Sequence, residues 1–242
     1  MLREVDVNVN EKKMMAVLAA VGVVASGALL GASPAAAKSS PPSCFSDCQN
    51  ANLTGGTYKN MNLADGNFSG STLTRTSFEK STLTGANFQG ATGNKPRFKS
   101  ANLTNANLTN VHFTGAWISP NFKDATLTGA NLTGAIMRST TFLRATLDDA
   151  NLTNVTMNDT SFKKTIAIDA NFTGATLQWT KFGTATLTGA NFTHADLKGA
   201  NFRKANLTNV NFRHAALSFA KFKGATFSNT TCPDGTVTNT GC

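Results

Sequence analysis

The amino-acid sequence predicts an all-β solenoid in which the chain winds into four-sided coils. Three observations support this prediction. Large apolar residues recur at every fifth position over most of the 242 residues. Turn-forming residues recur between them, and a second repeat spans twenty residues. Self-similarity at a fixed period is the sequence signature of a solenoid, in which each unit packs on its neighbours in space.

The five-residue unit is clearest between residues 190 and 212, where the large residues are Phe192, Leu197, Phe202, Leu207 and Phe212. A small residue stands two positions before each of them, and Asn or Asp mostly lies between. A period of five fits neither a helix nor a long strand. Within one unit, however, the small and large residues point to one side and the polar residue to the other, as in a short strand. The two remaining residues then form a corner.

The corner residues predict the turn type. Gly or Asn recurs at the second corner position, as at Gly55 and Asn60. A type II turn needs a positive φ at this position, and these two residues adopt it most readily. At five corners with a basic residue at this position we expect type I turns instead. These residues are Lys80, Arg144, Lys164, Lys204 and His214.

The register can be followed along the chain. Central residues run every five positions from Leu53 to Ile118 and resume from Phe122 to Phe227, which makes thirty-six units. At 118–122 one turn residue is missing, and Pro120 takes the small inward place. Residues 130–149 align with 150–169, so four units form one coil. The sequence therefore predicts about nine coils, and at about 4.8 Å per coil a rod roughly 40–45 Å long.

This pattern, A(N/D)LXX over about residues 50–230, resembles the pentapeptide repeat family. The resemblance implies a right-handed quadrilateral β-helix, and it indicates the fold far better than the function. Some members of that family resemble duplex DNA in size and acidity and protect DNA gyrase from quinolones. That mechanism needs a negative surface and a cytoplasmic location. A DNA-mimic, gyrase-interacting protein is therefore the disfavoured alternative for this basic chain.

Residues 1–37 have a different composition. Lys12 and Lys13 precede an apolar run at 14–31, and Ala35 and Ala37 form a small-residue cleavage pattern. This arrangement is typical of a secretory signal peptide cleaved after Ala37. An uncleaved membrane anchor is the alternative, because the run is at the short limit for a span. We expect a secreted or extracytoplasmic protein of the cell envelope or periplasm, with a thylakoid lumen as a further option.

The four cysteines form two local pairs, Cys44 with Cys48 and Cys232 with Cys242. An even number of cysteines together with an export signal indicates disulfides. The solenoid would place the two pairs at opposite ends, too far apart for cross-pairing or for one four-cysteine metal site. We therefore expect 44–48 and 232–242 to staple an N-terminal cap (38–49) and a C-terminal cap (231–242) around the helix at 50–230. Free thiols in a reducing compartment are the alternative.

The formal net charge is +9. Folding the sequence onto four-sided coils collects the basic residues of six units, twenty positions apart, on one face. These candidate polyanion-binding residues are Lys123, Arg144, Lys163, Lys164, Lys181, Arg203, Lys204, Lys221 and Lys223. In the first half, Lys59, Lys80, Arg97 and Lys99 gather on what this folding makes an adjacent face. The phenylalanines of the stripe point inward, so it lacks the exposed aromatic residues that nucleic-acid binding favours.

Two of the three histidines are candidate metal ligands. His194 and His214 fall at the same corner of successive coils, but a third convincing ligand is missing and unliganded surface histidines are the preferred interpretation. His112 is isolated. No nucleophile with a base and an orienting group stands out from the repeat, so neither an enzyme nor a cofactor or metal is expected.

These patterns predict an exported, non-catalytic structural or binding protein that presents a rigid basic face. Its partner is unknown, with an anionic envelope polymer or protein as the candidate and no specific nucleic acid. Charges that merely keep a rigid rod soluble are the alternative explanation of the stripe. Contact with a membrane would come only through an uncleaved signal segment. The chain is expected to be a monomer or a weak dimer.

Overall fold

A computed structural model describes residues 44, 46–114 and 120–242, which belong to one compact unit. Its regular elements are short. Strand β1 is Thr92–Asn94, β2 is His112–Thr114, β3 is Thr230–Thr231 and β4 is Val237–Thr238. Strands β1 and β2 pair in parallel, with Gly93 opposite Phe113. Every other coil-to-coil contact is an isolated parallel bridge of single residues, because each side of a coil is too short for a longer strand.

The bridges form four parallel ladders, one on each side of the coil. In each ladder a residue pairs with the residue twenty positions later, as Asn151 does with Asn171, except at one step of twenty-four positions, as from Asn107 to Asn131. The backbone N–H of Leu152 donates to the carbonyl of Asn171 at 2.7 Å, and that of Asn151 to the carbonyl of Ala130 at 2.9 Å. We number the faces in chain order by their outward residues. Face 1 carries Asn67 and Asn151, face 2 Thr72 and Thr156, face 3 Ser77 and Ser161, and face 4 Thr82 and Ile166.

The corners share one conformation, and here the prediction of two turn types was wrong. Gly55 has the positive φ of 74° that a type II turn needs, but so do the basic residues, with φ of 59° at Lys80 and 57° at Lys164. The predicted type I turns at Lys80, Arg144, Lys164, Lys204 and His214 are therefore absent. The cause is the neighbouring coil: the N–H of Lys164 must donate to the carbonyl of Gly183 at 3.1 Å. Stacking overrides the local preference of the residue.

The interior contains a continuous aromatic column behind face 3. From Phe78 onward its rings stack nearly parallel, with centroids 5.0 Å apart for Phe142 and Phe162 and 4.9 Å for Phe182 and Phe202. Its members are Tyr58, Phe78, Phe98, Phe122, Phe142, Phe162, Phe182, Phe202 and Phe222. Offset or parallel stacking adds to the hydrophobic gain of burying each ring. Leucines mostly occupy the corresponding places behind face 4.

Several inward positions hold hydroxyl residues rather than Ala. Thr165 is buried, and its hydroxyl donates to the carbonyl of Phe142 at 2.9 Å, one coil earlier. Thr76, Thr160 and Thr230 make the same bond to the coil before them. A buried hydroxyl is tolerated when it has a partner, so these residues add coil-to-coil bonds without a desolvation cost.

The register across 115–119 differs from the prediction. Arg97 pairs with Asn121, and the N–H of Phe98 donates to the carbonyl of Asn121 at 2.7 Å. The coil-to-coil separation is therefore twenty-four residues here instead of twenty. The ladder takes Phe98 directly to Phe122, which keeps aromatic on aromatic and leucine on leucine. Pro120 is buried, as expected, whereas the predicted centre Ile118 lies outside the described residues.

Both ends carry a disulfide. Cys44 and Cys48 are bonded, with Cα atoms 4.9 Å apart, and so are Cys232 and Cys242, at 5.4 Å. At the C-terminal end, β3 pairs antiparallel with β4, Thr231 opposite Val237, so the last rung is covered by a hairpin strand. An uncovered rung would expose unpaired backbone groups. In the turn of this hairpin, the hydroxyl and N–H of Thr236 donate to Asp234 and lower the pKa of its carboxyl.

The predicted signal peptide at 1–37 lies outside the described residues, as does most of the predicted N-terminal cap at 38–49. Within the described part of the chain, no helix has the length and hydropathy needed to cross a membrane.

Candidate anion-binding face

Face 3 carries most of the positive charge of the protein. Because Arg97 pairs with Asn121, the basic residues of the first half lie on the same face as those of the second half, and not on an adjacent face as predicted. We call this set, on the strand and the following corner of face 3, the basic face. It comprises Lys59, Lys80, Arg97, Lys99, Lys123, Arg144, Lys163, Lys164, Lys181, Arg203, Lys204, Lys221 and Lys223.

The charge is strongly asymmetric around the rod. The basic face holds thirteen basic side chains and two acidic ones, Glu79 and Asp124. Among the other described residues acidic side chains outnumber basic ones, eight to five. Face 4, which follows the basic face around the coil, carries Asp148, Asp149 and Asp169 and no basic residue among those described. A single face therefore accounts for the net positive charge.

Both acidic residues lie among the first five coils of the basic face, from the coil of Tyr58 to the coil of Phe142, which form its first half. Lys59 Nζ lies 3.0 Å from Glu79, whose carboxylate is also 3.5 Å from Arg97 Nε. Arg144 makes a two-pronged contact with Asp124, at 2.7 and 3.1 Å. Such exposed pairs contribute little to stability. They do, however, neutralise charge in the first half.

The second half has no such pairing among the described residues. From the coil of Phe162 to the coil of Phe222 the basic face carries seven basic residues and no acid. The rungs are spaced by the aromatic column beneath, 4.9 Å between Phe182 and Phe202 and 5.2 Å between Phe202 and Phe222. These residues are Lys163, Lys164, Lys181, Arg203, Lys204, Lys221 and Lys223, and all are exposed.

One coil of this half carries small side chains at the corner of the basic face. At the corner of the coil of Phe182 stand Gly183 and Thr184, whereas the coils on either side place Lys163 with Lys164 and Arg203 with Lys204 at the same corner. A Cβ at residue 183 would meet only the carbonyl oxygen of Arg203, at 3.7 Å, so the space above Gly183 is open. The result is a notch with basic side chains on both sides, which suits an anionic group.

The edge of the basic face carries exposed aromatic side chains. Trp179 is 49% exposed and Phe219 74%, and each stands at the corner that leads from face 2 onto the basic face. They precede Lys181 and Lys221 by two residues. They lie on the neighbouring corner and not on the basic face itself, so the expectation that the stripe lacks exposed aromatic residues holds for the stripe but does not extend to its border. Its inward phenylalanines behave as predicted, but Trp179 and Phe219 are not inward residues.

Comparison with known proteins agrees with the ladder geometry. The model of pentapeptide repeats matches in eight copies, over residues 46–90, 97–118, 121–159, 150–189 and 190–229, which is more than half of the chain. The chain belongs to the pentapeptide repeat family. Pentapeptide repeat proteins fold as right-handed quadrilateral β-helices, and this structure with its four ladders is one of them. A search of curated proteins found no match.

Solved structures of other pentapeptide repeat proteins are similar to this chain. HetL from the cyanobacterium Nostoc sp. strain PCC 7120, a protein involved in heterocyst differentiation regulation, is 24% identical; the match covers 80% of this chain and 92% of HetL, with a TM-score of 0.36. A variant of QnrB1, a plasmid-mediated fluoroquinolone resistance protein, is 18% identical over 74% and 83% of the two chains, with a TM-score of 0.37. A protein of the Arabidopsis thaliana thylakoid lumen is 28% identical over 60% and 70%, with a TM-score of 0.19.

The other candidate groups of this pentapeptide repeat protein remain apart from the basic face. His194 and His214 stack at a corner of face 1, with ring centroids 4.9 Å apart, and Arg213 donates to His214. No group of three metal-ligating side chains occurs in the described residues. His112 lines a shallow groove on face 2 with hydroxyl residues and Gly93, where a Cβ would lie 2.7 Å from the backbone of Leu73. The chain passes there too closely for a side chain.

Sequence reasoning missed Trp179 and Phe219 as site residues. One signal was present: both occupy the second corner position, where this pentapeptide repeat otherwise places mainly Gly, Asn, Asp or a basic residue. Their φ values of 59° and 61° are unusual for bulky side chains. A bulky aromatic residue at a corner position that requires a positive φ was therefore the signal in the sequence.

Proposed function

We propose that this pentapeptide repeat protein is an exported, non-catalytic binding protein whose basic face binds a linear anionic polymer of the cell envelope. The observation that carries the proposal is the unneutralised second half of the basic face, seven exposed basic residues on four successive coils. A row of like charges at a fixed spacing attracts a polyanion and releases its counterions.

The spacing of the charges argues for a ligand. Side chains on neighbouring coils start from backbones about 5 Å apart, and two like charges at that distance repel by roughly 1 kcal/mol even in water. Arg203 and Lys223 occupy the same corner position on neighbouring coils, and Lys181 lies one coil from Lys163 and from Arg203. The stacking of these residues therefore costs stability, and an anion seated among them would remove the cost.

Two features support export. The segment 1–37 has the charge, apolar run and small residues of a secretory signal. Both cysteine pairs are bonded, which suits an oxidising compartment. In this proposal the mature protein is a rod of about nine coils, with each end closed by a disulfide cap, that acts as a monomer or weak dimer.

The charge could instead serve only solubility and protection from lateral association. A matched pair of variants separates the two explanations. The first changes five residues of the basic face to Gln: Lys163, Lys164, Lys181, Arg203 and Lys204. The second changes the five described basic residues that lie off that face: Arg75, Lys95, Arg138, Lys198 and Arg213. Both variants lose the same formal charge.

The measurement is the salt concentration at which each purified protein elutes from heparin and from phosphocellulose. We expect the first variant to elute at much lower salt than the second, because binding to a polyanion depends on how many of its charges are contacted. Elution of the two variants at the same salt concentration would show that retention depends only on the net charge of the protein, and would refute the proposal.

A further inference from the structure

The corner ridge between face 2 and the basic face contains two aromatic residues for which neither burial nor backbone preference accounts. Trp179 and Phe219 are exposed. Both have a positive φ, which Asn or Gly adopts far more readily than an aromatic residue. Exposed aromatic residues at conformationally unfavourable positions are a sound starting point for a functional hypothesis.

The residue between them on the ridge is Gly199, one coil after Trp179 and one before Phe219. A Cβ at residue 199 would overlap the six-membered ring of Trp179, so the indole lies across the backbone of Gly199. The ridge therefore presents the ring of Trp179, which covers the glycine of the next coil, and the ring of Phe219 on the coil after that. Beside it, on the basic face, lie Lys181, Asn201 and Lys221.

We propose that this ridge and the second half of the basic face together bind an extended, linear polysaccharide that carries carboxylate or sulfate groups. The proposal rests on the function proposed above and specifies its ligand. The apolar face of a sugar ring presents C–H groups, which pack against the electron-rich face of an aromatic ring. The anionic groups of the same chain would contact Lys181, Arg203 and Lys221 and the notch above Gly183.

The spacing along the ridge favours a glycan over duplex DNA. The two aromatic residues, Trp179 and Phe219, lie two coils apart on the ridge, and the basic rungs rise about 5 Å per coil. In an extended polysaccharide with alternating ring orientation, every second sugar presents the same face. Duplex DNA instead carries a phosphate about every 3.4 Å along each strand, which does not match the rungs.

The test uses a variant that the fold should accept. Trp179→Asn with Phe219→Asn places at both corners a residue that the repeat uses there repeatedly and that suits a positive φ. Ser139→Asn, on the same ridge two coils before Trp179, is the matched control. The third protein is the five-residue Gln variant of the basic face.

Binding is measured by titration calorimetry at one salt concentration. The probes are polygalacturonate and heparin fragments, polyphosphate and single-stranded oligo(dT). For the aromatic double variant we expect about tenfold weaker binding of both glycans. Binding of polyphosphate should change by less than about twofold, because polyphosphate offers no sugar to stack. Ser139→Asn should match the unmodified protein, and the Gln variant should lose affinity for all anions.

Unchanged glycan binding in the aromatic variant, with the loss in the Gln variant retained, would overturn this inference and leave the proposed function standing. A stronger loss for oligo(dT) than for the glycans would assign the ridge to nucleic acid and also overturn it. No difference between the Gln variant and the unmodified protein with any probe would overturn the proposed function itself.

Discussion

The rings of Phe98 and Phe122 stack with their centroids 4.8 Å apart, although twenty-four positions separate them and twenty separate every other neighbouring pair in the column. This contact joins the two halves of the rod in register. It places Arg97 beside Asn121 and so unites the basic residues of both halves on one face. With a register that followed the five-residue count, the basic residues would be divided between two faces.

The stacking of Phe98 on Phe122 can be tested by a double-mutant cycle with leucine substitutions. Both rings are fully buried, and stacked aromatic pairs contribute about 0.5–1.5 kcal/mol beyond the area that they bury. We expect a coupling energy of that size from the free energies of unfolding in urea. Phe122 and Phe182, three coils apart, are the control pair and should show no coupling. A coupling near zero for the first pair would contradict the register.

The corner conformation makes a prediction for Thr184, a β-branched residue with a φ of 57°. Such residues adopt a positive φ poorly, whereas Asn tolerates it. Thr184→Asn should therefore raise the free energy of unfolding by about 1 kcal/mol. Thr188→Asn is the matched control, because Thr188 precedes the corner residue Gly189 and should gain nothing. If both changes have the same effect, backbone strain at residue 184 is not its source.

Removal of the C-terminal disulfide should increase local unfolding at the C-terminal end of the rod and leave the other coils unchanged. Cys232 and Cys242 hold the hairpin of β3 and β4 over the last rung. In a solenoid each coil contacts only its neighbours, so the damage should stay local. Hydrogen exchange of a Cys232→Ser/Cys242→Ser variant should accelerate over residues 227–242 and remain unchanged around Leu152. Faster exchange throughout the chain would mean that the disulfide supports the whole rod.

Tyr58, the only tyrosine of the chain, begins the aromatic column. Its burial raises the pKa of the phenol above its usual value. Near-ultraviolet absorbance should therefore show the folded protein ionising at higher pH than the chain unfolded in urea, whose phenol titrates near pH 10. The unfolded state loses its proton first, so this group supports folding fully below about pH 10 and less as pH rises through the folded-state pKa. Identical titrations would show that Tyr58 is solvated.

Much of the fold could be predicted because the spacing of the large apolar residues identifies the buried positions directly. The five-residue spacing of Phe192, Leu197 and Phe202 is visible without any structure, and all three side chains are fully buried. The pairing of the cysteines could be predicted because a solenoid places the two pairs at opposite ends, too far apart for cross-pairing. The nine basic residues of the candidate site, from Lys123 to Lys223, could also be placed on one face from the twenty-residue period alone.

The remainder depended on contacts between coils. The φ of Lys164 is set by the carbonyl of Gly183 in the next coil, which a propensity for the isolated turn cannot include. Trp179 lies at the border of the basic face because the ladders place Thr176 on face 2 and Lys181 on face 3, with the corner of Trp179 between them.

The sequence by itself determined the unit, the inward residues and the family, because a repeat of small, polar and large residues has one way to bury its apolar side. Only the tertiary structure decided how the two halves align, because the alignment depends on the stacking of Phe98 on Phe122 and on the hydrogen bonds between their coils. That alignment gives one continuous basic face.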